Sequence, residues 1–454
     1  MIDLNATPSK KSNIRRVAVL GAGTMGAQIA ALVAAKGIQC DLLDMSAAMV
    51  EDAKQRLLNM RPKVVVDPTT LERIRAGSFD EDLQRLADAD WVVEAIVERA
   101  GPKLALWSRV ADFARSDAIL STNTSGIPIA QIARALPAEM RGRFLGTHFF
   151  NPPRYLHLLE LIPTSETDYS AISTIRQFGE DVLCKDVVLA RDVPGFITNR
   201  IGCYYFLAVM RAADELCLTP DEADAVSGPL MGRSNSATYR TIDLVGVDIL
   251  LDICDNTRAA IASQDEKQAY TAPQYLRDMR ENGWLGNKSG KGFYKRERQD
   301  GQSRILALNT STMQYQDRTD RMRESLSNIR AIEDTGERLR ALVAADSTAA
   351  EFAWRSLSSL LAYSAAMLGE VADDIASIDR AMCRGFNWEL GPFETWDALG
   401  VEKTVERMKR DGIAVPKWVA AIAREGGNFY RQIDGESDQA TAEGKYAKFQ
   451  DSRA

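Results

Sequence analysis

A chain of 454 residues is too long for one ordinary domain and should divide into two or three. Its 45% hydrophobic and 26% charged residues are typical of a globular protein in water, and no apolar run approaches the ~20 residues of a membrane span. The net charge of −7 leaves no cationic footprint for nucleic acid, so any anionic ligand must be held by local donors. The polar start, Met1–Arg16, lacks the apolar core of a signal peptide. Six scattered cysteines with no C-x-x-C pair suit a reducing compartment, the cytoplasm by default, and with only two histidines no metal site is expected.

Arg16–Leu20 is a short apolar run that predicts a strand, and Gly21-Ala-Gly-Thr-Met-Gly26 follows it directly. Apolar residues then recur at helical spacing to Ala35, and Lys36-Gly37 closes the helix. Gln39–Leu43 reads as the next strand and ends at Asp44, so a β-α-β unit and a parallel sheet are expected. In this G-x-G-x-x-G, Gly21 permits the tight turn, Gly23 lets backbone approach a pyrophosphate, and Gly26 allows close helix packing. The anion would sit on the helix N-terminus. Asp44 lies roughly twenty residues on, where a carboxylate accepts hydrogen bonds from ribose hydroxyls. It would repel a 2′-phosphate, and no arginine follows within Met45–Val50, so NAD is favoured over NADP.

Residues 46–90 read as a charged helical excursion before a strand at Trp91–Ala95, with further strands at Ile119–Thr122 and Phe144–Phe149. Phe144–Asn151, the turn Pro152-Pro153-Arg154 and the apolar run Leu156–Ile162 form a strand, a turn and a returning strand. A hairpin centred on Arg154 pairs positions equidistant from it and sets His148 opposite Glu160. Facing Cβ atoms in such a pair are ~5 Å apart, within reach of an imidazole–carboxylate bond. His157 has the other parity and should point away. A carboxylate that fixes one tautomer of His148 and stabilises its imidazolium makes it a general base, as alcohol oxidation beside a nicotinamide requires.

The character changes after Pro194, where Phe196–Leu216 reads as a long helix, and the domain boundary is placed near 190. The expected domains are 1–190, 191–295, a charged connector with surface helices at 296–344, and 345–454. Glu215, Asp224 and Asp243-Leu-Val-Gly-Val247 recur as Glu370, Asp379 and Asp397-Ala-Leu-Gly-Val401 at a near-constant offset, which points to an internal duplication.

Gly21–Gly26, Val93-Glu-Ala-Ile-Val-Glu98, Asn123-Thr-Ser125, His148-Phe-Phe-Asn-Pro152 and Pro194-Gly-Phe-Ile-Thr-Asn-Arg200, extended by Gly286–Tyr294, resemble the ordered motifs of L-3-hydroxyacyl-CoA dehydrogenases. The resemblance implies a Rossmann-type α/β dinucleotide-binding domain followed by all-α domains, here duplicated, and oxidation of an (S)-3-hydroxyacyl-CoA in fatty-acid β-oxidation. It implies that His148 is the base with Glu160 its partner, and that Asn199 and Ser125 stand by the substrate. Met25, Asp44, Val97, Glu98, Lys103, Ser125 and Asn151 match cofactor-contacting positions, besides Gly21, Gly23 and Gly26. Two extra residues between Ser125 and His148 and the long 46–90 excursion depart from short members; the excursion resembles multifunctional relatives, but no hydratase-like segment occurs here. A hydratase or thiolase partner is compatible with the resemblance, which does not specify one. Lys54, Arg56, Arg61 and Lys63 are as readily a solvated helix face as a grip for CoA phosphates and are not counted as site residues.

The second repeat has Ala353 where the first has Asn199, and no histidine follows 157, so it is no second active site. A fused copy can instead cover the face that short relatives bury in a homodimer. A viable monomer is expected, with 345–430 packed on 195–295 and a homodimer also open. Two rival readings stand: an NAD(P)-dependent dehydrogenase of a small non-CoA hydroxy acid, and a non-catalytic nucleotide-binding subunit.

Overall fold

The computed structural model describes residues 14–299, 302–319, 321–433 and 435–449. Most of the polar start considered above lies outside them. The chain forms two compact units, Met1–Phe196 and Ile197–Ala454.

The first unit is built on an eight-stranded sheet: β1 (Arg16–Leu20), β2 (Gln39–Asp44), β3 (Ile74–Ser78), β4 (Trp91–Glu94), β5 (Ile119–Thr122), β6 (Phe144–Phe149), β7 (Leu158–Pro163) and β8 (Asp186–Leu189), in spatial order β3-β2-β1-β4-β5-β6-β7-β8. The first six strands are parallel; β7 runs antiparallel to β6, and β8 parallel to β7. Central β1 is apolar at successive positions, with Val17, Ala18, Val19 and Leu20 all fully buried, as a strand covered on both faces must be. The chain leaves β1 for β2 on one side and returns to β4 on the other. This reversal opens a crevice at the carboxyl ends of β1 and β4, where ligands of open α/β sheets bind. Helix α1 (Thr24–Ala34) follows β1, and Gly37 takes φ +83° three residues beyond its end.

Two strands differ from the sequence reading. The 46–90 excursion is not all helical: α2 (Ala47–Asn59) and a short 3₁₀ turn lead into β3, which pairs with β2 from Cys40↔Ile74 to Asp44↔Ser78. Ile-Arg-Ala-Gly-Ser has neither alternation nor a β-branched run, and its extended form comes from the sheet edge it completes. Edge strand β8 was likewise unread.

The second unit is mainly helical but carries two three-stranded antiparallel sheets, so it is not all-α. One spans Tyr294–Gln299, Gln302–Asn309 and Gln314–Asp317; the other Tyr430–Ile433, Glu436–Ala440 and Tyr446–Lys448. The expected connector of surface helices thus begins as a β-meander, with helices only from Arg321 onward. The long helices Thr198–Glu215 and Thr348–Met367 pack together: Tyr204 stacks on Tyr363 with centroids 3.7 Å apart, and its hydroxyl meets Ser359 Oγ at 2.9 Å.

Internal repetition extends to the hydrogen bonds. Asp224 accepts from the amides of Thr238, Tyr239 and Arg240 and from the Tyr294 hydroxyl at 2.7 Å; Asp379 accepts from the amides of Phe393 and Glu394 and from the Tyr430 hydroxyl at 2.9 Å. Asp243 takes the amides of Phe293 and Tyr294, and Asp397 those of Phe429 and Tyr430. In each copy two aspartates, one buried and one half-buried, hold the helical turn and the first strand of the small sheet through one tyrosine. Among the described residues no helix is long and apolar enough to cross a membrane.

Candidate active site

The glycine-rich turn is fixed by sterics. At Gly21, φ is +109° and a Cβ would lie 2.7 Å from the Ala95 carbonyl oxygen; at Gly26 it would lie 1.8 Å from the Gly21 carbonyl oxygen. Gly23 differs: a Cβ there would meet nothing within 4 Å, so its backbone faces open space at the N-terminus of α1. No side chain caps this end of α1, and its leading amides are free to meet an anion. At the end of β2, the Asp44 carboxylate accepts the Ala22 amide at 2.6 Å and the Met45 amide at 2.7 Å, placing an acid beside the same turn. Open backbone, an uncapped helix start and a strand-end acid fit a dinucleotide's pyrophosphate and ribose. Met25 is half-buried in the first turn of α1, and Arg56 reaches the Ala22 carbonyl at 3.3 Å. Lys54 bridges Glu51 and the Ile74 carbonyl, tying α2 to β3.

The wall beyond β4 centres on a buried ion pair. Glu94, with no exposed surface, accepts Lys103 Nζ at 2.7 Å, the Ile96 amide at 2.7 Å and the Thr122 hydroxyl at 2.7 Å. Lys103, on α3 (Ala100–Val110), is 1% exposed and lies 3.4 Å from Glu98. It is not the solvated charge that its sequence neighbours alone suggest. Glu98 in turn accepts from the Thr124 hydroxyl at 2.6 Å, the Ser125 amide at 2.9 Å and the Gly126 amide at 3.1 Å. Burial raises the Glu98 carboxyl, but Lys103, the Thr124 hydroxyl and the Ser125 amide outweigh it and hold it below the ordinary range. This chain of bonds pins the Asn123–Ser125 loop to the end of β4. Val97 stands on the segment between β4 and α3, 62% exposed, an apolar side chain turned outward where a ring could cover it.

Asn123 ties that loop to β6 by accepting the Phe149 amide at 2.8 Å. One residue earlier His148 faces Glu160 in the antiparallel register, the pairing that the parity argument gives, and its Nδ1 lies 2.7 Å from Glu160 Oε2. Glu160 has no exposed surface and His148 is 6% exposed. An ionised Glu160 accepts the Nδ1 proton and leaves Nε2 as the basic nitrogen. The rings of Phe150 and Phe196 lie 4.4 and 5.6 Å from the imidazole, Phe196 with φ +50°. Beyond β6, the Asn151 side chain accepts Gln28 Nε2 of α1 at 2.9 Å. His157 is exposed, with only the Cys184 carbonyl near it at 3.4 Å.

The first unit thus gathers Gly21, Gly23, Met25, Gly26, Asp44, Val97, Glu98, Lys103, Ser125, His148, Asn151 and Glu160 around the carboxyl ends of its parallel strands. Asn199 stands half-buried in the first turn of the Thr198–Glu215 helix of the second unit. The sequence reading missed Glu94, Asn123, Thr124 and Gln28. Glu94 left one usable signal: a carboxylate closing the apolar strand Trp-Val-Val-Glu must find a cation, and Lys103 follows within one helical turn of α3.

A glycine-rich turn at the sheet's reversal point, with a strand-end acid and a buried histidine–glutamate pair, defines a dinucleotide-binding protein with a built-in acid–base group. Residues 16–193 match the 3-hydroxyacyl-CoA dehydrogenase NAD binding domain, and residues 195–296 the C-terminal domain of the same name. A probable 3-hydroxyacyl-CoA dehydrogenase of Deinococcus radiodurans is 41% identical over 63% of this chain and 84% of its own. One of Bacillus subtilis is 38% identical over 93% of this chain, which spans 56% of that relative's length. The crystal structure of 3-hydroxybutyryl-CoA dehydrogenase from Escherichia coli superposes with a TM-score of 0.68 at 22% identity, covering 91% of this chain and 99% of that one, a likeness of fold. The chain belongs to the 3-hydroxyacyl-CoA dehydrogenase family, and its first unit is an NAD-binding domain.

Proposed function

We propose that the chain oxidises (S)-3-hydroxyacyl-CoA to 3-ketoacyl-CoA in fatty-acid β-oxidation, with His148 as general base. The buried His148–Glu160 pair carries this reading. Glu160 holds the Nδ1 proton, so Nε2 is the atom that takes the proton of the substrate's 3-hydroxyl; the carboxylate then faces the imidazolium this creates. Gly21, Gly23 and Gly26 would hold the pyrophosphate of NAD, Asp44 its ribose, and Met25, Val97, Glu98, Lys103, Ser125 and Asn151 the remainder. When bound, NAD supplies the acceptor for the hydride leaving the same carbon. By the family resemblance Ser125, on the loop pinned by Glu98, would stand by the nicotinamide and the reacting hydroxyl, and Asn199 would help to orient the substrate. The acyl-CoA is the substrate partner, and a hydratase upstream or a thiolase downstream fits the chemistry. The packed helical copies support a working monomer. Free cysteines among the described residues suit the cytoplasm.

The test is NADH formation, followed at 340 nm, with 3-hydroxybutyryl-CoA, longer 3-hydroxyacyl-CoAs and free 3-hydroxybutyrate. Turnover of the thioesters and none of the free acid is the expected result. Turnover of the free acid alone overturns the proposal.

A further inference from the structure

The second unit contains a cavity of about 400 Å³ whose wall is strongly cationic, in a protein whose net charge is −7. Arg240, Lys295, Arg296, Arg318 and Arg323 line it. They arrive from three places: the helix after Ala237, the first strand of the meander, and the Arg321–Ser325 helix with the residues just before it. Five like charges around one concavity are costly unless something answers them.

Part of the charge is answered within the protein. Lys295 lies 3.2 Å from Glu297, while Arg240 donates to the Asn287 carboxamide oxygen at 2.9 Å and stays 3.9 Å from Asp243. Arg296 and Arg318 have no carboxylate partner among the described residues; Arg318 lies over the Tyr294 ring, 5.7 Å from its centroid. The acid in the wall, Asp224, faces inward, where three amides and the Tyr294 hydroxyl consume its acceptor capacity. The cavity therefore keeps an excess of guanidinium groups, the side chains best shaped to hold phosphate oxygens in pairs. Strand pairing adds a further element: Ile305, 43% exposed, is the direct partner of Arg296 and gives the wall an apolar patch beside the charge.

We propose that this cavity binds a small molecule bearing a diphosphate or longer phosphate chain, at a site contained wholly in the second unit and additional to the dinucleotide site of the first. The size selects a small ligand, since a half-open concavity of this volume falls in the range of small-molecule sites and not of an extended nucleic-acid track. The charge selects the phosphate chain, because a single monoanion would leave one of the two guanidiniums without a carboxylate partner, Arg296 or Arg318, unmatched. The apolar patch suits an organic group attached to the phosphates.

The test is calorimetric titration of the full chain carrying Gly23→Ala, which weakens the anion site of the first unit, using inorganic pyrophosphate, ADP and orthophosphate as probes. The site variant is R296E/R318E, two exposed positions; the control is K409E/R410E, with the same change in net charge on another exposed helix face. Saturable pyrophosphate binding at one site, weakened roughly 100-fold in the site variant through loss of two charge-assisted contacts and unchanged in the control, is the expected result. ADP binding no weaker than pyrophosphate identifies the phosphate chain as the group held; a gain for ADP that I305S removes assigns the organic group to the apolar patch. Absence of saturable pyrophosphate binding, equal loss in the control, or orthophosphate binding as tightly as pyrophosphate overturns the proposal, the last by reducing the cavity to a counter-ion patch.

Discussion

Replacing Glu160 by glutamine keeps the shape of the pair and removes its charge. In the resting protein little changes, because a carboxamide oxygen can still accept the Nδ1 proton of a neutral imidazole across 2.7 Å. The difference arises when His148 takes a second proton. Both side chains are nearly sealed from water, at 8% and 0% exposure, so their charges interact through protein and not through bulk solvent. At an effective dielectric of ~20 and a charge separation of ~4 Å, the lost attraction is about 4 kcal/mol. Were all of it expressed in the transition state, kcat would fall about a thousandfold; reorientation of dipoles around the glutamine recovers part, and a drop of ~10²–10³ is expected. Steady-state kinetics with 3-hydroxybutyryl-CoA, alongside NADH binding by fluorescence, measures it: kcat collapses while NADH affinity stays within about twofold. The double variant with His148→Gln should be no worse than His148→Gln alone, itself ~10²–10⁴ below the parent, since the acid acts only through the imidazole. A kcat for Glu160→Gln within threefold of the parent, or losses that multiply in the double variant, would refute this reasoning.

Lys103→Met leaves Glu94 buried without its cation and should cost about 3–5 kcal/mol, read as a lower urea midpoint; adding Glu94→Gln should restore part of it. Gly23→Ala and Gly26→Ala should separate: the first leaves stability within ~1 kcal/mol but weakens NADH binding, whereas the second drives a methyl into the Gly21 carbonyl and lowers stability as well. Burial pushes the Asp243 and Asp397 carboxyls up to about 6, so the native state holds protons there that the unfolded chain releases from about pH 4. Their contribution is fully present below the unfolded value and is lost as pH rises through about 6. Urea denaturation at pH 5 and pH 8 should show a smaller fall for Asp397→Asn than for the parent; an unchanged slope counts against the assignment.

What could be read in advance was local. Gly21–Gly26 announces its turn because three glycines meet three separate steric demands within six residues, and Asp44 follows at the strand end. The facing of His148 and Glu160 follows from parity about a single turn, so two apolar runs and a Pro-Pro-Arg sufficed. Glu94 and Lys103 were harder, because the burial of a charge depends on which helix covers it, and only the fold sets α3 over the end of β4. Strands β3 and β8 lie at the two edges of the sheet and owe their form to one neighbour each. The aspartates of the duplication were legible by spacing; Tyr294 and Tyr430, which complete the two clamps, were not, because the chain between each clamp's first aspartate and its tyrosine is shorter in the second copy.

Edge strand β8 bears on how firmly the acid is aimed. β7 is bonded along both sides, to β6 through His148↔Glu160 and to β8 through Glu160↔Val188, and Lys185 just before β8 donates to the carbonyls of Pro153 and Leu156 in the intervening turn. To slide Glu160 by one position and swing it to the opposite face, two ladders must come apart together. The outermost strand of the sheet thus works as a lock on a residue one strand in from the edge, and loosening it should blunt catalysis from a place no substrate touches.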